Sequence, residues 1–441
     1  MAGPKTDDLI PREPIHRIVE PVTRFMHVEA ASGVLLLVCT AVALVLANSG
    51  AADWYAAIWK TKLGFTIGDF AMVHSLKHWI NDGLMAVFFF VVGLEVKREL
   101  VLGELRDPRR AALPVAAAIG GMVVPAAIYL LLQGGGAAAR GWGIPMATDI
   151  AFVVGCLAVL GPRVPKILRV VLLSLAIVDD IGAILVIAIG YTGSVDLRML
   201  VLAFGGLALI WLLGRAGVRS FGVYVMIGAV VWFGFHESGV HATIAGVLMG
   251  LLTPATSYLP TNTVSALLRR ADETLHGGSW VHMHHRSDAV RGLTDKVREV
   301  ISPLEYLEGT LHPWTSFVIM PVFALANAGV AFSASDFGDP VAVAIMAGLV
   351  LGKPVGILLM SLLAVKLVTR GLPEGLTWPA LAGGGFLAGI GFTMALFIAD
   401  LALEGPALNA AKVGVLGASA VAAVLGMAAL VAVLRKPAAS S

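Results

Sequence analysis

Apolar runs of about bilayer-spanning length recur along the chain and are divided by short polar gaps, the pattern of repeated transmembrane helices rather than of a folded soluble core. Twelve candidate spans follow, at about 30–48, 79–96, 111–132, 143–160, 167–190, 198–213, 221–235, 239–252, 313–331, 341–365, 379–399 and 407–434. The seventh and eighth are short and read as tilted or broken. One long polar segment, 253–302, separates the eighth from the ninth. The pattern predicts an all-α integral membrane protein. Its expected divisions are an N-terminal segment 1–29, spans one to eight over 30–252, a loop 253–302, spans nine to twelve over 303–434, and a tail 435–441.

Composition agrees: 58% of the 441 residues are hydrophobic and only 14% are charged. The net charge of +2 gives no sign of a nucleic-acid partner. Cys39 and Cys156 both lie inside apolar runs, so neither a disulfide nor a thiolate metal site is supported. Met1–Glu29 is polar and carries Pro4, Pro11, Pro14 and Pro21, which does not read as a signal peptide. Basic residues follow the even-numbered spans: Lys97, Arg98, Arg106, Arg109 and Arg110, then Arg163, Lys166 and Arg169, then Arg215 and Arg219, then Lys366 and Arg370. By the positive-inside rule both termini and the 253–302 loop are cytoplasmic. In that loop His282-Met283-His284-His285 offers metal-binding side chains, but no second ligand group at fixed spacing accompanies it. The segment 50–75 contains loosely alternating residues around Trp59–Ile67, consistent with a short hairpin.

Two spans are broken by glycine and proline at membrane depth. Span four contains Gly141, Gly143 and Pro145 before Thr148-Asp149; span eleven contains Gly383, Gly384, Gly385, Gly389 and Gly391. Unwound backbone is tolerated there only where it lines a protein-enclosed polar cavity. Spans three to five then correspond to ten to twelve, and an odd number of spans per repeat inverts the second copy. Paired interruptions of this kind point to a transporter site.

The same region carries charge. Val170–Gly190 is apolar or glycine except for Ser174 and the doublet Asp179-Asp180. One ionised Asp at the centre of a spanning helix costs roughly 2.5–3.5 kcal/mol, and the doublet about twice that. Carboxylates held at that cost bind a cation, a proton, or each in turn; pairing with a lysine that only locks the bundle would neutralise one of the two. Asp149 in span four, Lys353 in span ten and Asp82 in span two are the other charges within apolar runs. An aspartate balances the positive amide ends of broken helices and a lysine the negative carbonyl ends, which suits Asp149 and Lys353. Neighbours on a helix point about 100° apart, so one aspartate can pair with Lys353 while the other faces an aqueous funnel. Cation and protons competing for the same oxygens give antiport when only loaded states reorient. No G-x-x-x-x-G-K-[ST] phosphate loop occurs, so an ion gradient is the expected energy source, with no cofactor.

The chain resembles the NhaA-type sodium/proton antiporters of bacterial inner membranes. The resemblance is carried by GLMAVFFFVVGLEVKREL (83–100), ATDIAF (147–152), LAIVDDIGAI (175–184), SGVHATIAG (238–246), LHPW (311–314), FALANAGV (323–330), LGKPVGI (351–357) and GFLAGIGFTMALFIA (385–399). NhaA is itself one of the transporters behind the paired-interruption rule, so the two signals are not independent. The resemblance implies twelve spans with discontinuous helices four and eleven crossing, and electrogenic exchange with protons moving inward and sodium or lithium outward. It places cation (Na+) and proton binding on Asp179 and Asp180, support at the crossing on Thr148, Asp149 and Lys353, and an access path at Asp82. It implies a pH-responsive cluster of Glu95, Arg98, Glu99, Glu308 and His312, with His241 separately linked to pH, and a homodimer held partly by a hairpin near 50–70. Glu305 and Gly309 depart from the family pattern beside Glu308, and the 253–302 loop is longer than usual; these leave the pH set-point open.

An intramembrane aspartyl protease would need a G-x-G-D motif, and Val178-Asp179-Asp180 lacks it. A passive channel lacks a pore-loop signature. A cation-coupled solute symporter of related fold is the remaining alternative.

Overall fold

The computed structural model describes residues 29–68, 70–193, 195–218, 220–256, 301–331 and 334–434. Most of the 253–302 loop, its His282–His285 cluster and both tails lie outside these. The described chain is helical apart from one hairpin. Among the described residues, eight helices are long and apolar enough to cross a membrane. They are α3 Leu76–Val101, α4 Pro108–Gln133, the interrupted Ala137–Arg163 (whose second part is α5, Ile150–Leu160), α6 Lys166–Gly190, α7 Leu197–Arg215, α10 Pro303–Asn327, α11 Pro340–Thr369 and α14 Gly405–Val433. Two further pairs are bent at short breaks: α1 Glu29–Ala47 with α2 Ala52–Lys60, by 114°, and α12 Trp378–Ala388 with α13 Phe392–Ala402, by 46°. Two shorter apolar helices, α8 Phe221–Glu237 and α9 Thr243–Leu252, occupy the expected seventh and eighth spans.

Local chemistry sets the ends. Asp107 caps α4 by accepting from the Arg109 amide at 2.9 Å, with Pro108 at the first helical position, and Gly134 closes the helix at φ 61°. The start of α10 differs from the expected span at 313. Ser302 and Glu305 form a capping box, so the helix begins ten residues earlier, at Pro303. Its first turns carry Glu305, Glu308 and His312, too polar to register as an apolar run.

The expected hairpin is present. β1 Lys62–Ile67 pairs antiparallel with β2 Phe70–Ser75, in a register running from Lys62 opposite Ser75 to Ile67 opposite Phe70. Gly68, at φ 62°, supplies the backbone conformation its two-residue turn requires.

Apolar side chains also cover the outer surface, as a bilayer requires. Ile189 is 82% exposed and Val201 72%. Inside, small residues let backbones touch: at Gly120 of α4 and Gly356 of α11 a Cβ on either would collide with the other's carbonyl. This packing presses α11, and Lys353 with it, against the helices beside the broken segments. A π-helical turn, Gly348–Gly352, immediately precedes Lys353, a feature often found at functional positions.

Candidate functional site

The two interruptions meet. Ala137–Met146 is 3-10 helical, residues 147–149 are unwound, and α5 starts at Ile150. In the other half the break lies at 389–391, between α12 and α13. Their freed backbone groups approach each other: the Asp149 amide donates to the Ile390 carbonyl at 2.7 Å, and the Thr148 hydroxyl oxygen lies 2.9 Å from the Ala388 carbonyl.

Asp149 serves two helix starts at once. Its Oδ1 accepts from the Phe152 amide at 3.2 Å, capping α5, and its Oδ2 accepts from the Thr393 amide at 3.1 Å and from the Thr393 hydroxyl, capping α13. One carboxylate therefore balances two positive helix ends in the interior. Lys353 answers the opposite need. Its Nζ donates to the Met146 carbonyl, at the end of the 3-10 segment, and to Asp179 Oδ2 at 2.7 Å. Both side chains are essentially inaccessible to solvent. Asp149 and Lys353, read from the sequence as balancing the broken ends, both lie at them.

Asp179 and Asp180 lie mid-way along α6, and both are buried. Asp179 Oδ2 takes two donors, Lys353 Nζ and the Thr148 hydroxyl at 2.6 Å, while its Oδ1 is buried with no hydrogen-bond partner. Asp180 has no hydrogen bond or ion pair among the described residues; it feels the negative charges of Asp179, Glu95 and Asp149 and the positive charge of Lys353. Buried polar atoms are almost always paired, so two adjacent carboxylates with oxygens to spare mark a place for a further positive partner. The lysine-paired aspartate is Asp179. Asp180, the aspartate read from the sequence as facing the funnel, is 3% exposed. A cavity of about 530 Å³ lined by Glu99, Glu104, Arg106, Asp107, Arg110 and Ser174 stops short of it. Ser174 is six residues before Asp180, about 9 Å along the helix.

The residues expected to respond to pH fall into two places. Glu95, Arg98 and Glu99 share the C-terminal end of α3; Arg98 pairs with Glu308 of α10, and Glu95 stands within the field of Glu308 and Glu99. His312, one turn beyond Glu308, is exposed. Glu305 is engaged locally: its Oε2 accepts from the Ser302 hydroxyl at 3.0 Å and amide at 3.3 Å, so it is a helix cap as well as a lip charge. Asp82 and His241 are not part of this group. Asp82 sits near the start of α3, 13 residues or about 20 Å from Glu95, beside His78 and His236. His241 bonds Thr243 at 3.0 Å and sets its ring against Phe397.

Comparison with known proteins places the chain. Residues 23–430 match the profile of the family described as Na+/H+ antiporter 1. The chain belongs to this family. It is 56% identical over 428 residues to the Na+/H+ antiporter NhaA of Rhodopirellula baltica, covering 97% of both chains. It is 51% identical to the Na+/H+ antiporter NhaA of Rhizobium meliloti over 96% of both, and 48% identical to Na+/H+ antiporter NhaA 2 of Acidiphilium cryptum over 97% of this chain and 95% of that one. A family member with multiple apolar helices is a multi-pass membrane protein.

Sequence reasoning about this antiporter-family chain missed three groups. Thr393 lies within a quoted motif, but only the structure shows it closing the second cap on Asp149. Lys412 and Asp400 are further charges within apolar runs and should have been counted. Lys412 Nζ bonds Asp400 at 3.1 Å and the Asn327 carbonyl at 3.1 Å, while Lys77 bonds the same Asp400 at 3.0 Å, tying the start of α3 to α13, α14 and α10. His74 and His78 stand eight and four residues before Asp82, a spacing the sequence shows, but His236 joins them from 158 residues beyond His78.

Proposed function

We propose that this protein exchanges cytoplasmic Na+ or Li+ for more than one external H+ by alternating access, in the inner membrane of a bacterium. One observation carries the reading: Asp179 Oδ1, buried and unpartnered, stands next to a buried Asp180 with no hydrogen-bond partner among the described residues. Carboxylates so far from water need a proton or a cation to neutralise them. Hard oxygen ligands suit Na+, so binding it displaces the protons that otherwise fill the site. Thr148, Asp149 and Lys353 keep the two broken ends in register, and the hydrogen bonds between 148–149 and 388–393 support a crossing of spans four and eleven. Counting each bent pair and each shorter apolar helix as one span gives the twelve of the expected topology, with both termini cytoplasmic. The Glu99–Glu95 side of α3 leads from the cavity toward Asp180 and forms the cytoplasmic entry, where Arg98, Glu308 and His312 set a pH response. Asp82 lies on the opposite path, near His241, and the hairpin Lys62–Ser75 carries a homodimer contact. No enzymatic chemistry is assigned to these residues. The antiporter names of the relatives weigh against a solute symporter.

Reconstituted into vesicles with an acid interior and a pH-sensitive dye, the protein should relieve quenching when Na+ or Li+ is added outside. An imposed membrane potential should change the rate, because unequal charges move. Proton movement that required a second solute would favour the symporter instead. Proton movement indifferent to potential would leave one titrating carboxylate, with Asp179 permanently paired to Lys353.

A further inference from the structure

The hairpin end of the molecule holds a second cluster, chemically unlike the first. His74 is the penultimate residue of β2, His78 follows on the first turn of α3, Asp82 is one turn further on, and His236 is the penultimate residue of α8. The ligand atoms of the three imidazoles all lie within 4.8 Å of one another. His78 Nε2 is 3.2 Å from His236 Nε2, and Asp82 Oδ2 is 3.5 Å from the first and 3.7 Å from the second. Ligands held about 2.0–2.1 Å from a tetrahedral metal stand about 3.3–3.4 Å apart, close to the sides of this triangle. His74 stacks on His78 with ring centres 4.3 Å apart, and its ligand nitrogen lies within 4.8 Å of those of His78 and His236.

We propose that His78, His236 and Asp82, with His74 alongside, form a binding site for a divalent transition metal of the Zn2+ class. Hydrogen bonding alone leaves this cluster short of protons. Two Nε2 atoms face each other and both approach one carboxylate oxygen, and a single N–H between the two rings cannot also serve Asp82. One divalent cation satisfies all of these atoms together. The other nitrogen of His236, Nδ1, lies 3.1 Å from Glu237 Oε1, so a proton held there frees Nε2 for the metal, the usual arrangement behind a metal-bound histidine. The Trp232 indole N–H donates to the Asp82 carbonyl at 3.1 Å, and Trp232 stacks on Trp79, which fixes α3 against α8. Imidazole nitrogen selects Zn2+, Co2+, Ni2+ or Cu2+ rather than Na+, so the site is distinct from the carboxylate doublet. Its side chains are reachable, with His78 38% exposed. A bound ion would clamp the base of the hairpin to α8.

The test uses the full-length chain in detergent, free of any affinity tag and stripped with a chelator. Co2+ titration should give the intense visible bands of a four-coordinate site at one ion per chain, abolished by added Zn2+. Zn2+ should also raise the melting temperature. His78→Asn and His236→Gln should each weaken Co2+ binding by about 100-fold or more, and Glu237→Gln by about 10–100-fold. A chain carrying His282→Ala, His284→Ala and His285→Ala should bind as before. Absence of the bands, their survival in both His78→Asn and His236→Gln, or their loss only with the 282–285 replacements would each overturn the site. Glu237→Gln, which leaves His74, His78, His236 and Asp82 in place, keeps the test decisive should a ligand variant fail to fold.

Discussion

Asp180→Asn should abolish Na+-driven proton movement, at least about 100-fold in rate, while leaving the fold as stable as before or slightly more so. An amide cannot take up and release the proton and is a poor substitute for a carboxylate as a Na+ ligand. Asp180 has no hydrogen-bond partner among the described residues, so neutralising it orphans nothing and removes a buried charge. Asp179→Asn should also stop exchange, but at a cost in stability. Its Oδ2 receives Lys353 and the Thr148 hydroxyl, and the amide leaves the buried lysine uncompensated. Breaking a buried pair from one side costs about 3–5 kcal/mol. Vesicle dequenching and thermal unfolding, measured on both variants, separate the two roles. Normal exchange in either variant would remove the doublet from the mechanism, and equal stability loss in both would mean that the asymmetry between them is wrong.

Lys353→Met should be the most destabilising single change at this site. The lysine joins Met146, Asp179 and, through Asp179, Thr148, so losing it orphans a buried carbonyl and a buried carboxylate together. A loss of about 3–5 kcal/mol is expected, with little exchange remaining. Asp149→Asn should cost less, since the amide oxygen still accepts from one of the two helix starts that Asp149 now caps. The pairing makes a further demand: Lys353→Met combined with Asp179→Asn should be less destabilising than the sum of the two single changes. Additive losses, measured as melting temperatures in one detergent, would mean that Lys353 and Asp179 do not act as a pair.

The apolar pattern revealed the membrane class and most helix positions, because bilayer length is written directly into composition. At α10 the helix starts ten residues before its apolar run, where the first turns are polar and the decisive signal is the Ser302–Glu305 cap rather than hydrophobicity. Asp149 and Lys353 were legible because broken helices have charged ends that need balancing. Which aspartate Lys353 would meet was not, since helix phase says that Asp179 and Asp180 diverge but not which neighbour lies on each side. Asp180 is buried because α6 packs against α3, α4 and α12, and burial depends on tertiary packing. Thr393 meets Asp149, Asp400 meets Lys77 and His78 meets His236 across more than 150 residues of sequence. Contacts over such separations leave no periodic trace.

Competition between Na+ and protons for Asp179 and Asp180 is tested most directly by counting the protons released as purified protein binds Na+, from calorimetric titrations in buffers of different ionisation enthalpy. Release of more than one proton per Na+, with no measurable Na+ binding in Asp180→Asn, is the expected result. Na+ binding that releases no proton would contradict shared occupancy of the two carboxylates.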